Sequence, residues 1–270
     1  MRLRLIVTAD LHYNHPKSKA LADDLVEQIN ATAGDVLLVV GDTAVADGDS
    51  LEQCLSRFHF AGPKLFVAGN HELWTKRDDS YEIFRQELPR RVRELGWRWL
   101  QKDPFVSADR SSAIVGSIGW YDYSFAVPQL QISRESYVKK RSPDGSMRWN
   151  DGKFVKLHRS DEQFVDELLQ QLRRQLDSLR DVPNVVVAVH HVPFAELLPP
   201  RHGAQWDFAR AYLGSERIGD LLKQYQNIRL VICGHSHFAA EAQVGHIHAV
   251  NIGSGYRSKI FRIFEIGSDS

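Results

Sequence analysis

The sequence predicts an α/β protein with a largely parallel sheet, and three observations carry that reading. Short apolar runs alternate with amphipathic stretches through residues 3–96, a βαβαβα rhythm that covers a parallel sheet with helices. The last forty residues read as a run of short β segments. Side chains of the kind that hold metal ions stand just after five of the apolar runs, where an open α/β sheet places its chemistry.

In chain order, LRLIVTA (3–9) reads as a buried strand, followed by an amphipathic stretch near 18–32 with Leu21, Leu25 and Ile29 at helical spacing. Strand 35–40 (DVLLVV) precedes a helix near 49–59 that Asp49 or Ser50 would cap. Strand 64–68 (KLFVA) leads to a helical pattern from Ser80 to Leu95, with Gly96 placed as its stop. The rhythm then changes. WRWLQ, FVSA and SAIVGSIGW follow one another as short strands with no helix between them. Residues 120–158 are aromatic, charged and punctuated by Gly and Pro, without a clear period. A helix over 160–180, strand 184–189 (NVVVAV), a helix over 215–225 and strand 229–233 (RLVIC) come next, interrupted at 192–214 by Pro193, Pro199, Pro200 and Gly203. The segments EAQV, IHAVNI and KIFRIFEI finish the series. No internal repeat or low-complexity linker divides the chain, and the metal-type segments run from Asp10 to His237. Residues 1–270 are therefore expected to form a single domain with irregular insertions near 120–158 and 192–214.

Hydrophobic residues make up 43% and charged residues 25% of the 270, a balance suited to a sizeable core. Lys plus Arg and Asp plus Glu are 34 each, so no net field draws the protein toward nucleic acid or membrane. No apolar run approaches the roughly 18 residues of a membrane span. The N-terminal MRLRLIVTAD is too short for a signal h-region, and Asp10 interrupts it. Cys54 and Cys233 form no C-x-x-C pattern and are expected to be buried, reduced thiols, which makes a cytoplasmic location the expectation.

The chemistry is concentrated in Asp10-Leu11-His12, Gly41-Asp42, Gly69-Asn70-His71-Glu72, His190-His191 and Gly234-His235-Ser236-His237. Asp10 and His12, like His235 and His237, are two apart and share a side of an extended chain. Gly41 and Gly234 let the backbone pass close to an ion or take a positive φ. The two carboxylate oxygens of Asp42 can serve two cations, and Asn70 offers a neutral carbonyl oxygen to a site already rich in negative charge. Taken singly, each segment is an ordinary turn or loop start. Five of them in succession at strand ends are not.

This ordered series resembles the calcineurin-like metallophosphoesterase superfamily, over residues 3 to about 255 and within its bacterial-type phosphatase and phosphodiesterase group. Asn251-Ile252-Gly253-Ser254 is similar to the late Asn-Pro-Gly-Ser turn of many members, with Ile252 in place of the proline. The resemblance implies a four-layer αββα sandwich of two mixed β-sheets flanked by helices. It implies a first metal held by Asp10, His12 and His237, a second held by Asn70, His190 and His235, and Asp42 bridging the two. His190 matches the ligand because it directly follows its strand, and His191 is left to line the site. Two divalent transition-metal ions would be the cofactors: manganese first, with iron, cobalt or zinc tolerated by mixed N/O ligation. The implied reaction is hydrolysis of a phosphate mono- or diester by a metal-bridging hydroxide, with His71 as the general acid and Glu72 orienting its neighbours.

Departures from the pattern narrow the reading. Val45 stands where Ser/Thr protein phosphatases place a second Asp and where purple acid phosphatases place a tyrosinate ligand. His71 stands where lipid A precursor hydrolases carry arginine. Asp47 and Asp49 remain as candidates to orient His71. The partner is expected to be a small phosphate ester, a nucleotide among the options, with no membrane involved. A metal-dependent nuclease acting on DNA or RNA is the alternative, and a non-catalytic scaffold is disfavoured because no ligand position is lost. Trp120, Tyr121, Tyr123 and Phe125 either stack on a base or, the favoured reading, plug the core beneath the insertion. Lys139, Lys140, Arg141 and Arg148 form a basic patch that either meets phosphate or is a solvated loop. Arg85, Arg90, Arg91, Arg93 and Arg98 read as exposed charge offset by Glu82, Glu87 and Glu94. Arg201, His202 and Arg257 are further candidate phosphate contacts. Oligomeric state and physiological substrate stay open.

Overall fold

The computed structural model describes residues 2–77 and 79–267. Its strands are β1 (Leu3–Thr8), β2 (Val36–Val40), β3 (Lys64–Val67), β4 (Trp97–Trp99), β5 (Phe105–Val106), β6 (Ser112–Ser117), β7 (Asn184–Val189), β8 (Ile228–Cys233), β9 (Ala240–Val244), β10 (Ile247–Asn251) and β11 (Phe261–Ile266). They form two mixed sheets in the orders β11-β1-β2-β3-β4 and β5-β6-β7-β8-β10-β9. β1 to β4 run parallel, and β11 closes the edge antiparallel to β1. In the second sheet β6, β7, β8 and β10 are parallel, with β5 and β9 antiparallel at the two edges.

The sheets pack face to face. Val7, Leu38, Val40 and Val67 from the first meet Ile114, Val186, Ile232 and Val250 from the second in one apolar cluster. Gly116 permits the close approach, since a Cβ there would lie 2.6 Å from Val67 Cγ2. The outer face of the first sheet buries helix Pro16–Asn30 and the helical segment 80–94, and helix Glu216–Leu222 covers the second. Helix Asp161–Asp177 packs along both clusters, opened by a capping box between Ser160 and Gln163. These are the four αββα layers expected from the sequence. Strands buried on both faces have no polar side to present, so they read as unbroken apolar runs.

Four expectations need correction or refinement. Leu21 is exposed, and the inward stripe of the first helix is Ala22, Leu25, Val26 and Ile29. Asp49 occupies the cap position of helix Ser50–Leu55, but its carboxylate accepts from Gln53 Nε2 rather than from the first turn. The helical pattern of 80–94 opens into a π turn over Ile83–Glu87 just before Pro89, which can neither donate nor tolerate the carbonyl one turn back. Trp120 and Tyr121 are fully buried, with Trp120 Nε1 donating to Asp161 at 2.8 Å, so these rings plug the core and are not available to stack on a base. Gly96 ends its helix at φ +77° as expected. Cys54 and Cys233 are buried free thiols. Among the described residues, no helix is long and apolar enough to cross a membrane.

Candidate metal centre

The five motif segments converge at the carboxyl ends of the parallel strands of both sheets. Asp10, Asp42 and Asn70 follow β1, β2 and β3, while His190 follows β7 and His235 and His237 follow β8. The loops are laced together through their backbones. Asp10 N donates to Gly41 O at 2.9 Å, His12 N to Asp42 O at 2.8 Å and Gly234 N to His190 O at 3.1 Å. Asp10, His12, Asp42, His235 and His237 all have positive φ, between 45° and 68°. Left-handed backbone is uncommon outside glycine, although Asp and His tolerate it better than most, and its clustering marks a functional constraint.

Two groups of donor atoms form around one shared carboxylate: Asp10, His12, Asp42 and His237, and Asp42, His190 and His235. His12 Nε2 lies 2.9 Å from His237 Nε2 and 3.9 Å from Asp42 Oδ2, and His237 Nε2 lies 3.6 Å from Asp10 Oδ1. On the other side, His190 Nε2 is 3.3 Å from Asp42 Oδ1 and 3.2 Å from His235 Nδ1. Ligands bound at about 2.1 Å around one ion are about 3.0–3.4 Å apart; the second group falls in that range, and the first spans 2.9–3.9 Å around it.

Hydrogen bonds behind the rings set the tautomers. His190 Nδ1 faces Val40 O at 3.0 Å and His235 Nε2 faces Tyr212 O at 3.2 Å; a carbonyl only accepts, so both nitrogens carry the proton. In their neutral forms His190 and His235 keep Nε2 and Nδ1, 3.2 Å apart, as the nitrogens able to ligate. Asn70 Nδ2 donates to Asp151 Oδ1 at 2.9 Å, and Asn70 Oδ1 is buried without a hydrogen-bond partner. An orphaned carbonyl oxygen beside two carboxylates and four imidazoles is what a cation would satisfy. The residues present fit the metal pair that the family implies.

The electrostatics agree. Burial holds His12 and His235 well below the usual imidazole range and takes His237 to about 4, so all three stay neutral and able to ligate. Burial also opposes charge on His190, but the Asp42 and Asp10 carboxylates overcome it and raise that pKa to about 9. Asp10 is pushed up to about 8, first by burial and then by Asp42. Asp42 is held well below the carboxylate range because His190, His71 and His12 outweigh its burial. A cluster that must share protons among buried carboxylates and imidazoles is one that a cation would relieve.

Glu72 is fully buried and gathers the loop ends. Its oxygens accept from the backbone N–H groups of Asp42 at 2.9 Å, Thr43 at 2.6 Å, Ala44 at 3.0 Å and Gly69 at 2.6 Å, so it orients neighbours as expected. His71 opens a short 3₁₀ turn, and its ring stacks on Trp74 at 3.7 Å with Nε2 3.8 Å from Asp42 Oδ2. Burial lowers the His71 pKa, and Asp42 and Asp151 act in the opposite direction. Neither candidate for orienting it does so. Asp47 accepts from Thr75 Oγ1 and Lys76 N, and Asp49 accepts from Gln53. The His71 ring is instead held by Trp74 and by an edge contact with His12 at 4.5 Å. His191 lies against the His235 ring at 4.2 Å, with Nδ1 on Ile118 O, and supports the site from behind.

A cavity of about 540 Å³ opens over Asp42, Asn70, His71, His235 and His237. Of the basic candidates, Arg148 and His202 line it and Arg257 does not. Arg201 is bonded to Asp207, Lys139 to Glu135 and Lys140 to Asp161. The arginines of 85–98 are mostly held by acids outside the set expected from sequence: Arg85 by Glu167, Arg91 by Glu52 and Arg98 by Asp103, with only Arg90 paired to Glu94. Asn251 of the late turn donates to Gly234 O and Ser236 Oγ, each at 2.9 Å, and fixes the loop that carries His235 and His237. Sequence reasoning missed Asp151, Trp149, Tyr256 and Lys259. Tyr256 stacks on His12 at 4.3 Å, and Lys259 Nζ donates to Asp10 O at 2.6 Å. Trp74, which stacks on His71, was missed as well.

No curated protein matches the sequence. Among solved structures, the chain is similar to a phosphopantetheinyl hydrolase from Mycobacterium tuberculosis, with TM-score 0.73 and 23% identity over 94% of this chain and 89% of that one. It is also similar to a dimetal phosphatase from Danio rerio, with TM-score 0.60 and 15% identity over 98% and 96% of the two chains. At those identities the likeness establishes the fold, and it is the αββα fold described above. The sequence pattern of the calcineurin-like phosphoesterases matches residues 3–239, a span that contains every donor atom of the two clusters, and the chain belongs to that family of phosphoric ester hydrolases.

Proposed function

We propose that the protein hydrolyses small phosphate mono- or diesters with two divalent transition-metal ions, manganese foremost. Asp10, His12 and His237 would hold one ion, Asn70, His190 and His235 the other, and Asp42 would touch both. The observation that carries this reading is the membership of Asp42 in both donor groups, one oxygen turned toward His190 and the other toward His12. When bound, the ions neutralise phosphoryl oxygens and acidify a water enough to make it a nucleophile near neutral pH.

The chain's own residues supply the rest. Asp42, with its low pKa, keeps a charge between the clusters. The hydrogen bonds to Val40 O and Tyr212 O hold His190 and His235 in the ligating tautomer. His71 would give a proton to the leaving oxygen; its position on the cavity wall beside Asp42 supports that role. Buried free cysteines support a reducing compartment, so a cytoplasmic location belongs to the reading. The neutral net charge weighs against the nuclease alternative.

The test is metal analysis of the purified protein, with manganese-stimulated hydrolysis of an aryl phosphomonoester, its methyl diester and single-stranded DNA compared side by side. The expected result is about two ions per chain and turnover of the small esters. Asp42→Ala should abolish turnover; a retained rate would refute the shared-ligand role.

A further inference from the structure

The cavity is much larger than a phosphate, and its outer part carries a cluster of apolar and aromatic side chains. Beyond the donor atoms it continues between segment 147–150 and segment 199–213. Its walls there are Met147 and Trp149 on one side and Pro199, Pro200 and Trp206 on the other, with Phe238 at the mouth. Trp206 is 67% exposed and Phe238 37% exposed, an apolar surface that water covers poorly. The polar side chains on the same walls are Arg148, Asn150, His202, Arg210 and Ser236. Arg148 has no ion pair among the described residues, and Arg210 is occupied by Pro199 O at 2.5 Å.

Resting on the metal-pair reading, we propose that this cleft is a subsite for an extended apolar or aromatic group of the ester, one long enough to pass from the metals to Trp206. The substrate class is thereby a phosphate ester of a hydrophobic alcohol. Binding of non-hydrolysable alkylphosphonates to the manganese-loaded protein, measured by calorimetry, tests it without needing turnover. Each methylene buried contributes about a fourfold gain in affinity, so hexylphosphonate should bind at least tenfold more tightly than ethylphosphonate. Trp206→Ala, a change at an exposed position that the fold does not need, should remove most of that difference. Equal affinity for the two chain lengths would overturn the subsite. Binding that depends on chain length but not on manganese would instead overturn the metal reading, so the two failures are distinguishable.

A second observation concerns a carboxylate behind the cleft wall. Asp151 is 1% exposed and lies in the irregular insertion, far from any ligand motif in sequence. Its Oδ1 accepts from Asn70 Nδ2 at 2.9 Å and Trp74 Nε1 at 2.6 Å, and its Oδ2 from Tyr121 OH at 3.0 Å and Trp149 Nε1 at 2.8 Å. One carboxylate thus fixes the amide of a metal-site residue, the ring behind His71 and a wall of the cleft. We infer that Asp151 is the positioning residue for Asn70: by taking the amide N–H, it leaves Asn70 Oδ1 as the atom turned to the ion. Calorimetric manganese titration of the metal-free protein tests this. Asp151→Asn should weaken one of the two ions by about 10–100-fold and leave the other unchanged. The exchange Asn70→Asp with Asp151→Asn restores a donor–acceptor pair of reversed polarity and should recover most of that affinity. A merely structural role would weaken both ions together and show no recovery. If Asp151→Asn does not fold, Asp151→Glu, which displaces the carboxylate by one methylene, should show the same selective loss. Two unaltered ions in either variant would overturn the inference.

Discussion

His71 combines three features at one residue. Its backbone N–H donates to Asp42 Oδ1 at 2.9 Å, its ring face is covered by Trp74, and its Nδ1 is buried without a partner. The first feature ties the proposed acid to the proposed shared ligand, and the second fixes the ring plane without a carboxylate behind it. A proton donor matters most when the leaving oxygen is a poor one. His71→Ala should therefore slow alkyl phosphates by about 10²–10⁴-fold and activated aryl phosphates far less. A plot of log rate against leaving-group pKa should steepen in the variant, and parallel lines for the two proteins would remove His71 from the acid role. The clustering of Asp10, His12, Asp42, Asn70, His190, His235 and His237 was legible in the sequence because each stands within four residues of the end of an apolar strand. Asp151 was not, because its donors Asn70, Trp74, Tyr121 and Trp149 come together only through the fold, and a lone acid in a stretch without a period carries no signal.

The strand-to-loop junctions do at the scale of elements what tautomer-setting hydrogen bonds do at the scale of atoms. Gly41, Gly69 and Gly234 each occupy a place where a side chain would strike a ligand. A Cβ on Gly69 would lie 2.2 Å from Asp42 Oδ1, and one on Gly234 would lie 2.4 Å from Asp10 Oδ2. Gly234→Ala should thus displace Asp10 and lower manganese affinity in a calorimetric titration, with a destabilisation of about 1–3 kcal/mol from overpacking. Unchanged affinity would show that the loop gives way without moving the carboxylate. The central strands β1, β2, β3, β7 and β8 were read to within one residue because both of their faces are buried, while the other strands were overrun by up to three residues or missed by one. The first helix was read one residue out of phase on Leu21, because Ala22 packs inward and a small apolar residue is easily passed over beside a leucine. The insertions gave only their irregularity, since short helices such as Arg134–Val138 and Asp151–Phe154 are held by tertiary contacts rather than by periodicity.

The two sheets meet at the metal centre as well as in the core. Asp10, Asp42 and Asn70 belong to the first sheet and His190, His235 and His237 to the second, so each donor cluster takes ligands from both. Without cations, the junction holds buried carboxylates and imidazoles compensated by one another and by Lys259 beside Asp10. Ions bound there would join the sheets at their carboxyl ends and satisfy Asn70 Oδ1 at the same time. Ligand that binds only the folded state adds about 2.7 kcal/mol at a hundredfold excess over its dissociation constant. Two such sites should shift the melting temperature of a chain this size by on the order of 10 °C. Chelation should therefore lower the melting temperature by that amount, and manganese should restore it. Hydrogen exchange should rise in the chelated protein first at the loops after β1, β2, β7 and β8, while the amides of β2 and β7 themselves stay protected by the inter-sheet core. A melting temperature indifferent to chelator, in a protein shown to have lost its ions, would mean that the apolar faces alone hold the sheets together and that the metal centre is carried by the fold without supporting it.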